Sequence, residues 1–147
     1  MGARLGVDRR AVPAVVIALL DTHSFLWSVV APETLSAKAR NLVADPGNEI
    51  HLSTISLWEI SLKVSLGKLQ ISGGSPEDLV AAARQMGLTI SSPSPEESAG
   101  FHRLARFEHK DPFDRMLIWQ CLQRRWTLVS RDRGLDEYRA LGLRTAW

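Results

Sequence analysis

The sequence VVIALLDTH (residues 15–23) begins with six consecutive apolar residues and ends in polar ones. An uninterrupted apolar run of this length is typical of a strand that is covered on both faces, as in a parallel sheet. Residues 15–20 are therefore predicted to form a buried first strand. Asp21 would then stand at the carboxyl end of that strand.

The residues before this strand could instead suggest a secretory signal. Arg4, Arg9 and Arg10 precede the apolar run 11–20, as in a signal peptide. The run is too short to span a bilayer, and it ends in Asp21 without a small-residue cleavage site. We therefore predict a disordered or loosely packed tail over residues 1–12 and a single domain over residues 13–147, with no membrane association.

The composition suits one soluble core. Hydrophobic residues make up 45% of the 147 residues and charged residues 23%, so folding needs no metal or disulfide. Cys121 is the only cysteine, which excludes an internal disulfide and is compatible with a cytoplasmic location. A net charge of +2 permits an anionic partner without requiring one.

Strands and helices alternate along the rest of the chain. Further strands are predicted at 50–53, 88–90, 127–130 and 143–147, and helices at 36–44, 56–68, 75–87, 94–107, 111–125 and 135–141. Three of these helices have start signals in which a capping residue precedes proline: Ser75, Ser94 and Asp111. The alternation predicts an α/β fold, a three-layer α/β/α sandwich with a mostly parallel central sheet.

Four acidic residues fall where such a fold builds sites. Asp21 and Asp132 each follow a predicted strand, and ligands of open parallel sheets bind outside the carboxyl ends of strands. Glu59 lies inside an apolar helical stretch, and Asp114 lies in the first turn of a helix, one turn after Asp111. Clusters made only of oxygen ligands suit Mg²⁺ or Mn²⁺, ions that promote phosphodiester cleavage.

Each acid also has a structural explanation, which the spacing leaves open. Three of them could cap or face a helix N-terminus, namely Asp21, Asp111 and Asp114. Glu59 could pair with Lys63 four residues later, and Asp132 could be a turn residue.

Four motifs carry a family resemblance over about residues 15–147. They are LLDTH (19–23), STISLWEI (53–60), HKDPFDRML (109–117) and LVSRD (128–132). In this order and spacing they resemble the PIN-domain family. More narrowly, they resemble its VapC-like toxins of the subgroup with WEI and DPFDR motifs.

The resemblance implies a metal-dependent endoribonuclease that uses Mg²⁺, for which Mn²⁺ could substitute. The implied metal ligands and catalytic residues are Asp21, Glu59, Asp114 and Asp132, and the implied supporting residues are Thr22, Ser130 and Asp111. Arg115 and Arg131 adjoin proposed ligands, where they could contact RNA phosphates.

The resemblance also implies a biological role, that of the toxin in a type II toxin–antitoxin system. The expected partners are an RNA substrate, a cognate antitoxin and a second copy of the chain in a homodimer. Two other classes stay open: a PIN-like module that binds RNA or a partner without catalysis, and a metal-dependent DNA nuclease or phosphatase.

The histidines and tryptophans carry weaker signals. The four histidines do not cluster at metal-ligand spacing. His23 and His109 flank motifs; a structural hydrogen bond is favoured for each, and contact with RNA is the less favoured alternative. The tryptophans are expected mostly in the core, with base stacking as the less favoured alternative: Trp27, Trp58, Trp119, Trp126 and Trp147.

Overall fold

Five parallel strands form the centre of the computed structural model, which describes residues 15–147. The strands are β1 (Ile17–Leu20), β2 (Glu49–Ser53), β3 (Thr89–Ser91), β4 (Thr127–Val129) and β5 (Arg144–Ala146). Their order in the sheet is β3-β2-β1-β4-β5, and every neighbouring pair is parallel. The predicted α/β class and parallel sheet are confirmed. The predicted tail over residues 1–12 lies outside the described part of the chain.

Helices connect the strands. They are α1 (Thr22–Val30), α2 (Ala37–Ala44), α3 (Thr54–Ser65), α4 (Pro76–Gln85), α5 (Pro95–Gly100), α6 (Pro112–Arg124) and α7 (Asp136–Ala140), with 3-10 turns at Pro32–Thr34 and Phe101–Arg103. No helix in the described range is both long and apolar enough to cross a bilayer.

Two apolar cores cover the two faces of the sheet. In β1, Ala18 and Leu20 point into the first core while Leu19 points into the second, and all three are 0% exposed. This alternation follows from the pleat of a strand, and burial on both faces explains the continuous apolar run. The first core includes side chains of α1 to α4 and the second includes side chains of α6 and α7, which gives the predicted three layers.

Helix α1 was not among the predicted helices. Its sequence contains β-branched Thr22, Val29 and Val30, which lower helix propensity and hide the pattern. The helix forms because Asp21 caps its first turn and Phe25 is buried in the first core.

Helix α5 is shorter than predicted. It ends at Gly100 rather than near residue 107, and a 3-10 turn follows. Trp119 Nε1 donates to the Glu97 carbonyl oxygen at 2.8 Å, and this bond competes for a carbonyl that a continuing helix would use. The wrong boundary therefore reflects a tertiary contact that the local pattern does not contain.

Candidate active site

Three of the four predicted acids line one small pocket at the carboxyl edge of the sheet. Asp21 follows β1, Asp132 follows β4, and Asp114 lies in the first turn of α6. The pocket also has a histidine, a serine and an apolar floor: His109, Ser130, Leu117, Ile118, Leu128 and Leu135. The sheet thus brings together carboxylates from three separate segments of the chain.

Asp21 joins the end of β1 to the start of α1. Its Oδ1 accepts a hydrogen bond from Ser24 N at 2.8 Å, which makes Asp21 the N-cap of α1. Its own backbone N–H donates to the Val129 carbonyl at 3.1 Å and ties this position to β4. The capping role considered from sequence is present, and the same residue lines the pocket.

A tight turn after β4 presents Asp132. Buried Ser130 accepts a hydrogen bond from Asp132 N at 3.1 Å through its hydroxyl oxygen. Asp132 Oδ1 accepts from Gly134 N at 2.7 Å. Ser130 therefore shapes the turn that places Asp132, and its supporting role in the site stays a prediction.

Asp111 and Asp114 have different positions at the start of α6. Asp111 is the N-cap, with Oδ1 accepting from Phe113 N at 2.8 Å and Asp114 N at 3.1 Å. Asp114 Oδ2 lies 3.0 Å from His109 Nε2. Burial raises the pKa of Asp114 to about 6, and the negative charges of Asp111 and, less strongly, Glu59 add to the increase.

His109 lies between two of the acids. Its Nε2 contacts Asp114, and its Nδ1 is 3.6 Å from Asp132 Oδ2. The sequence indicated only that His109 flanks a motif. The contact with Asp132 depends on the fold, because the two residues belong to different connections of the sheet.

Glu59, the fourth predicted acid, is 2% exposed in α3 and does not line the pocket. Thr22 Oγ1 donates to Glu59 Oε1 at 2.7 Å, and Lys63 forms an ion pair with Glu59 Oε2. The hydrogen bond to Glu59 is the main cause of a raised Lys63 pKa, and Asp111 and Asp114 contribute further. The i,i+4 pair considered from sequence is therefore present, close to the acids.

The two candidate arginines have different surroundings. Arg115 Nη2 donates to the carbonyls of Leu104 and Ala105 at 3.1 Å each, and its guanidinium lies 5.0 Å from the Phe101 ring centre. Arg131 is exposed and lines a cleft that it shares with the three clustered acids. Arg115 has structural contacts in addition to any RNA contact, whereas Arg131 faces the site.

The donor chemistry fits a hard divalent cation. Asp21, Asp114 and Asp132 supply oxygen ligands of the kind that Mg²⁺ and Mn²⁺ prefer. Burial, together with the negative charges of Asp111 and Glu59, raises the Asp114 pKa, and a cation bound here would stabilise the charged carboxylate. Among residues 15–147, no group of three or more Asp, Glu, His or Cys side chains is placed so that it could hold one metal ion.

One curated relative matches nearly the full chain. Ribonuclease VapC22 from Mycobacterium tuberculosis is 26% identical over 134 residues, which cover 88% of this chain and 97% of that protein.

Solved structures share the fold. VapBC2 from Rickettsia felis, bound to a DNA fragment from its promoter, superposes with a TM-score of 0.65 at 17% identity, covering 90% of this chain and 99% of that chain. VapBC-5 from Mycobacterium tuberculosis, a member of the VapBC family of toxin–antitoxin systems, gives a TM-score of 0.53 at 11% identity, covering 89% and 96% of the two chains.

The family model of the PIN domain matches residues 18–141. That span includes β2, β3, β4 and all but the first residue of β1, and it includes the three clustered carboxylates. The narrower subgroup with WEI and DPFDR motifs stays a prediction. Because the match covers most of the chain, the protein belongs to the PIN domain family.

Proposed function

We propose that this protein is a divalent-metal-dependent endoribonuclease. The observation that carries the proposal is the pocket at the carboxyl edge of the sheet that Asp21, Asp114 and Asp132 line together. The proposal is supported by membership of the PIN family and by a relative of nearly equal length that is named a ribonuclease.

In this proposal the three clustered acids hold Mg²⁺, or Mn²⁺ in its place. When bound, the ion makes water more acidic and stabilises negative charge on the attacking and leaving oxygens. Ser130 keeps the Asp132 turn in shape, and His109 orients the carboxylates of Asp114 and Asp132. Glu59, held by Thr22, adds negative charge behind the ligands.

A polymeric substrate is favoured by the surface beside the pocket. His109 also borders a cleft lined by basic and aromatic side chains, namely Arg106, Phe107, Lys110 and Arg115. On another side His109 borders a cleft with three acids and one arginine, namely Glu108, Asp136, Glu137 and Arg133. A polyanion would follow the basic side, because positive charge near phosphates favours binding and negative charge opposes it. A small phosphomonoester would need no such track.

The central experiment measures cleavage of single-stranded and structured RNA by purified protein with Mg²⁺, Mn²⁺ or EDTA. We expect cleavage with either metal and none after chelation. Asp114→Asn and Asp132→Asn should abolish cleavage, since each removes a proposed ligand charge. Asp45→Asn is the matched control, because Asp45 is exposed and its side chain accepts a turn hydrogen bond from Gly47 N, which an asparagine oxygen can also accept.

Parallel reactions with single-stranded DNA and a small phosphomonoester separate the alternatives. Cleavage of these substrates in preference to RNA would contradict the ribonuclease proposal. Equal RNA cleavage in EDTA would contradict the metal requirement. Tight RNA binding without cleavage under any metal would indicate a binding module.

We further propose that the protein is the toxin of a type II toxin–antitoxin pair in the cytoplasm, bound by a cognate antitoxin. The support is the shared fold with VapBC complexes. Expression of the wild type in its native host should stop growth, and co-expression with a small neighbouring gene should restore it. Asp114→Asn should be harmless at equal soluble expression. Normal growth at high levels of soluble wild-type protein would contradict the toxin role.

The homodimer expected from the sequence can be tested directly by sedimentation. Sedimentation of the purified protein without antitoxin should give twice the chain mass of 16.3 kDa. A monomer at every protein concentration tested would contradict the homodimer.

A further inference from the structure

A second cleft opens beside the acid pocket and shares its three carboxylates. It encloses about 340 Å³, within the range of small-ligand sites. Its remaining wall consists of His23, Trp27 and Arg131. A nucleic acid strand that runs along this cleft with a phosphate at the acids would place a neighbouring nucleotide against this wall.

The wall consists of planar groups arranged around one indole. The His23 ring centre lies 5.6 Å from that of Trp27 at an interplanar angle of 34°, and the Arg131 guanidinium carbon lies 5.7 Å from the Trp27 ring centre. Trp147 packs against the Trp27 edge at 5.8 Å, and Trp27 also packs on the first core. Trp27 is thus held in place, while His23 and Arg131 are exposed.

A second trio of a tryptophan, a histidine and an arginine lies elsewhere on the sheet, and its polar side chains are held by protein partners. Trp126 precedes β4, stacks on His51 at 4.0 Å and lies 4.8 Å from the Arg124 guanidinium carbon. His51 is held by Ser91 at 2.6 Å and Glu49 at 2.7 Å, and Arg124 is held by Glu97. These partners occupy the polar groups of His51 and Arg124, so we assign the trio a structural role.

We propose that His23, Trp27 and Arg131 form a nucleobase-binding subsite beside the scissile phosphate. The proposal rests on the ribonuclease function proposed above and identifies residues that select the cleavage position. Nucleobases stack on aromatic rings and on arginine planes, and the arginine charge also attracts the flanking phosphate. The preference for a base at this position is a property of the trio and not of the carboxylates.

The test compares protein variants on a set of RNAs from which single bases have been removed. A short RNA that the wild type cleaves at one bond is prepared as a series, each member with an abasic nucleotide at one position. One base next to the scissile phosphate occupies the subsite in this proposal. When that base is missing, kcat/KM of the wild type should fall about tenfold. Trp27→Leu should cleave the intact RNA about tenfold less efficiently and should show no further loss at that position. The double variant His23→Gln/Arg131→Gln, whose changes are confined to exposed side chains, should weaken the same dependence through KM.

Trp126→Leu is the matched control and should keep the wild-type pattern over the whole series. If both Trp27→Leu and the double variant retain the wild-type loss at that position, the subsite proposal is wrong even though the protein is a ribonuclease. If the wild type cleaves no RNA with any metal, the proposed function itself fails. If thermal melting shows that Trp27→Leu is unfolded at the assay temperature, the double variant alone decides whether the subsite proposal is correct.

Discussion

Asp21 combines two tasks that are usually assigned to different residues. It caps α1 through Oδ1 and lines the pocket shared with Asp114 and Asp132. Asparagine can also cap a helix through its side-chain oxygen, but it carries no negative charge. The substitution Asp21→Asn therefore removes the proposed ligand charge while it preserves the cap.

Without metal, Asp21→Asn should melt at or above the wild-type temperature, because it relieves repulsion among the clustered acids. Mg²⁺ should stabilise the wild type by roughly 2.7 kcal/mol at a hundredfold excess over its Kd and stabilise the variant much less. Thermal melts in EDTA and in Mg²⁺ measure both effects. Asp21→Ala serves as a control that also loses the cap, at a cost of about 1 kcal/mol. A strongly destabilised Asp21→Asn protein with a wild-type gain from Mg²⁺ would show that Asp21 is only a cap.

Lys63 supports a different prediction. Its ion pair compensates Glu59, whose side chain is 2% exposed. Lys63→Met should lower the free energy of unfolding by about 2 kcal/mol, because it leaves a buried carboxylate with one hydroxyl donor. Adding Glu59→Gln should recover part of this loss. Urea unfolding of the two single variants and the double variant gives the coupling, and additive losses would contradict the role of the pair.

For single residues, the sequence predicted some features of the site and not others. Acids that follow strands could be located from the motifs, because parallel strands end at one edge of a sheet. The position of Glu59 outside the pocket and the contact of His109 with Asp132 could not be predicted, because both depend on how α3 and α6 pack against the sheet. The burial that raises the Asp114 pKa is likewise tertiary, and it contributes more to the increase than the negative charges of Asp111 and Glu59 do.

At the scale of elements, α5 and α6 are joined by a polar clamp. Arg124 donates to both carboxylate oxygens of Glu97 at 2.8 and 2.6 Å, and it also donates to the Ser92 carbonyl at 2.8 Å. Trp119 of α6 adds its bond to the Glu97 carbonyl. The short helix α5 therefore depends on α6 more than on its own six residues.

The clamp gives the stability a defined dependence on pH. Hydrogen bonds from Arg124 are the main reason that the pKa of Glu97 lies below its ordinary value of 4.5. A lowered folded pKa means that the stabilisation is complete above the unfolded pKa and is lost as pH falls through the folded value. Arg124→Met should therefore cost about 3 kcal/mol at neutral pH and flatten the loss of stability below about pH 4.5.

Urea unfolding between pH 3 and pH 7 measures this dependence. Asp136→Asn is the control, because it disrupts an ion pair with Arg139 whose Asp136 side chain is 86% exposed and which contributes little. An unchanged pH profile in Arg124→Met would contradict the clamp.

Some elements could be predicted because their signals are local. Ser94 and Asp111 cap their helices as expected, and Glu97 completes a capping box with Ser94. A cap at Asp21 is one interpretation of the sequence, but the extent of α1 and the end of α5 could not be predicted, because Phe25 burial and the Trp119 contact lie outside any local pattern. Local propensity is a weak guide where packing opposes it.

At the scale of the whole molecule, the sheet places β1 at its centre. β1 pairs with β2 on one side and with β4 on the other, so both cores meet at this strand. The parallel class could be predicted from the alternation of strands and helices. The order of the strands could not, because the alternation does not state on which side of β1 each connection returns.

The tail prediction belongs to this scale. A chain that starts at Ala14 should fold and cleave RNA like the full chain, because β1 begins at Ile17 and residues 1–12 show no core pattern. We expect equal melting temperatures within about 2 °C, since changes remote from packed features are typically small. Melting and cleavage of the two chains measured side by side provide the test. A large loss in the shortened chain would show that the tail packs on the domain.

The strand order also determines when the parts of the site become available during translation. Ribosomes make β1 and β2 early, but the neighbour of β1 on its other side is β4, at Thr127–Val129, and Asp132 follows later still. A nascent chain can pair β1 with β2 while the third carboxylate has not yet been made. If the proposed activity is correct, translation itself delays the nuclease, because the ribosome has to make β4 and Asp132 before the product can cut RNA.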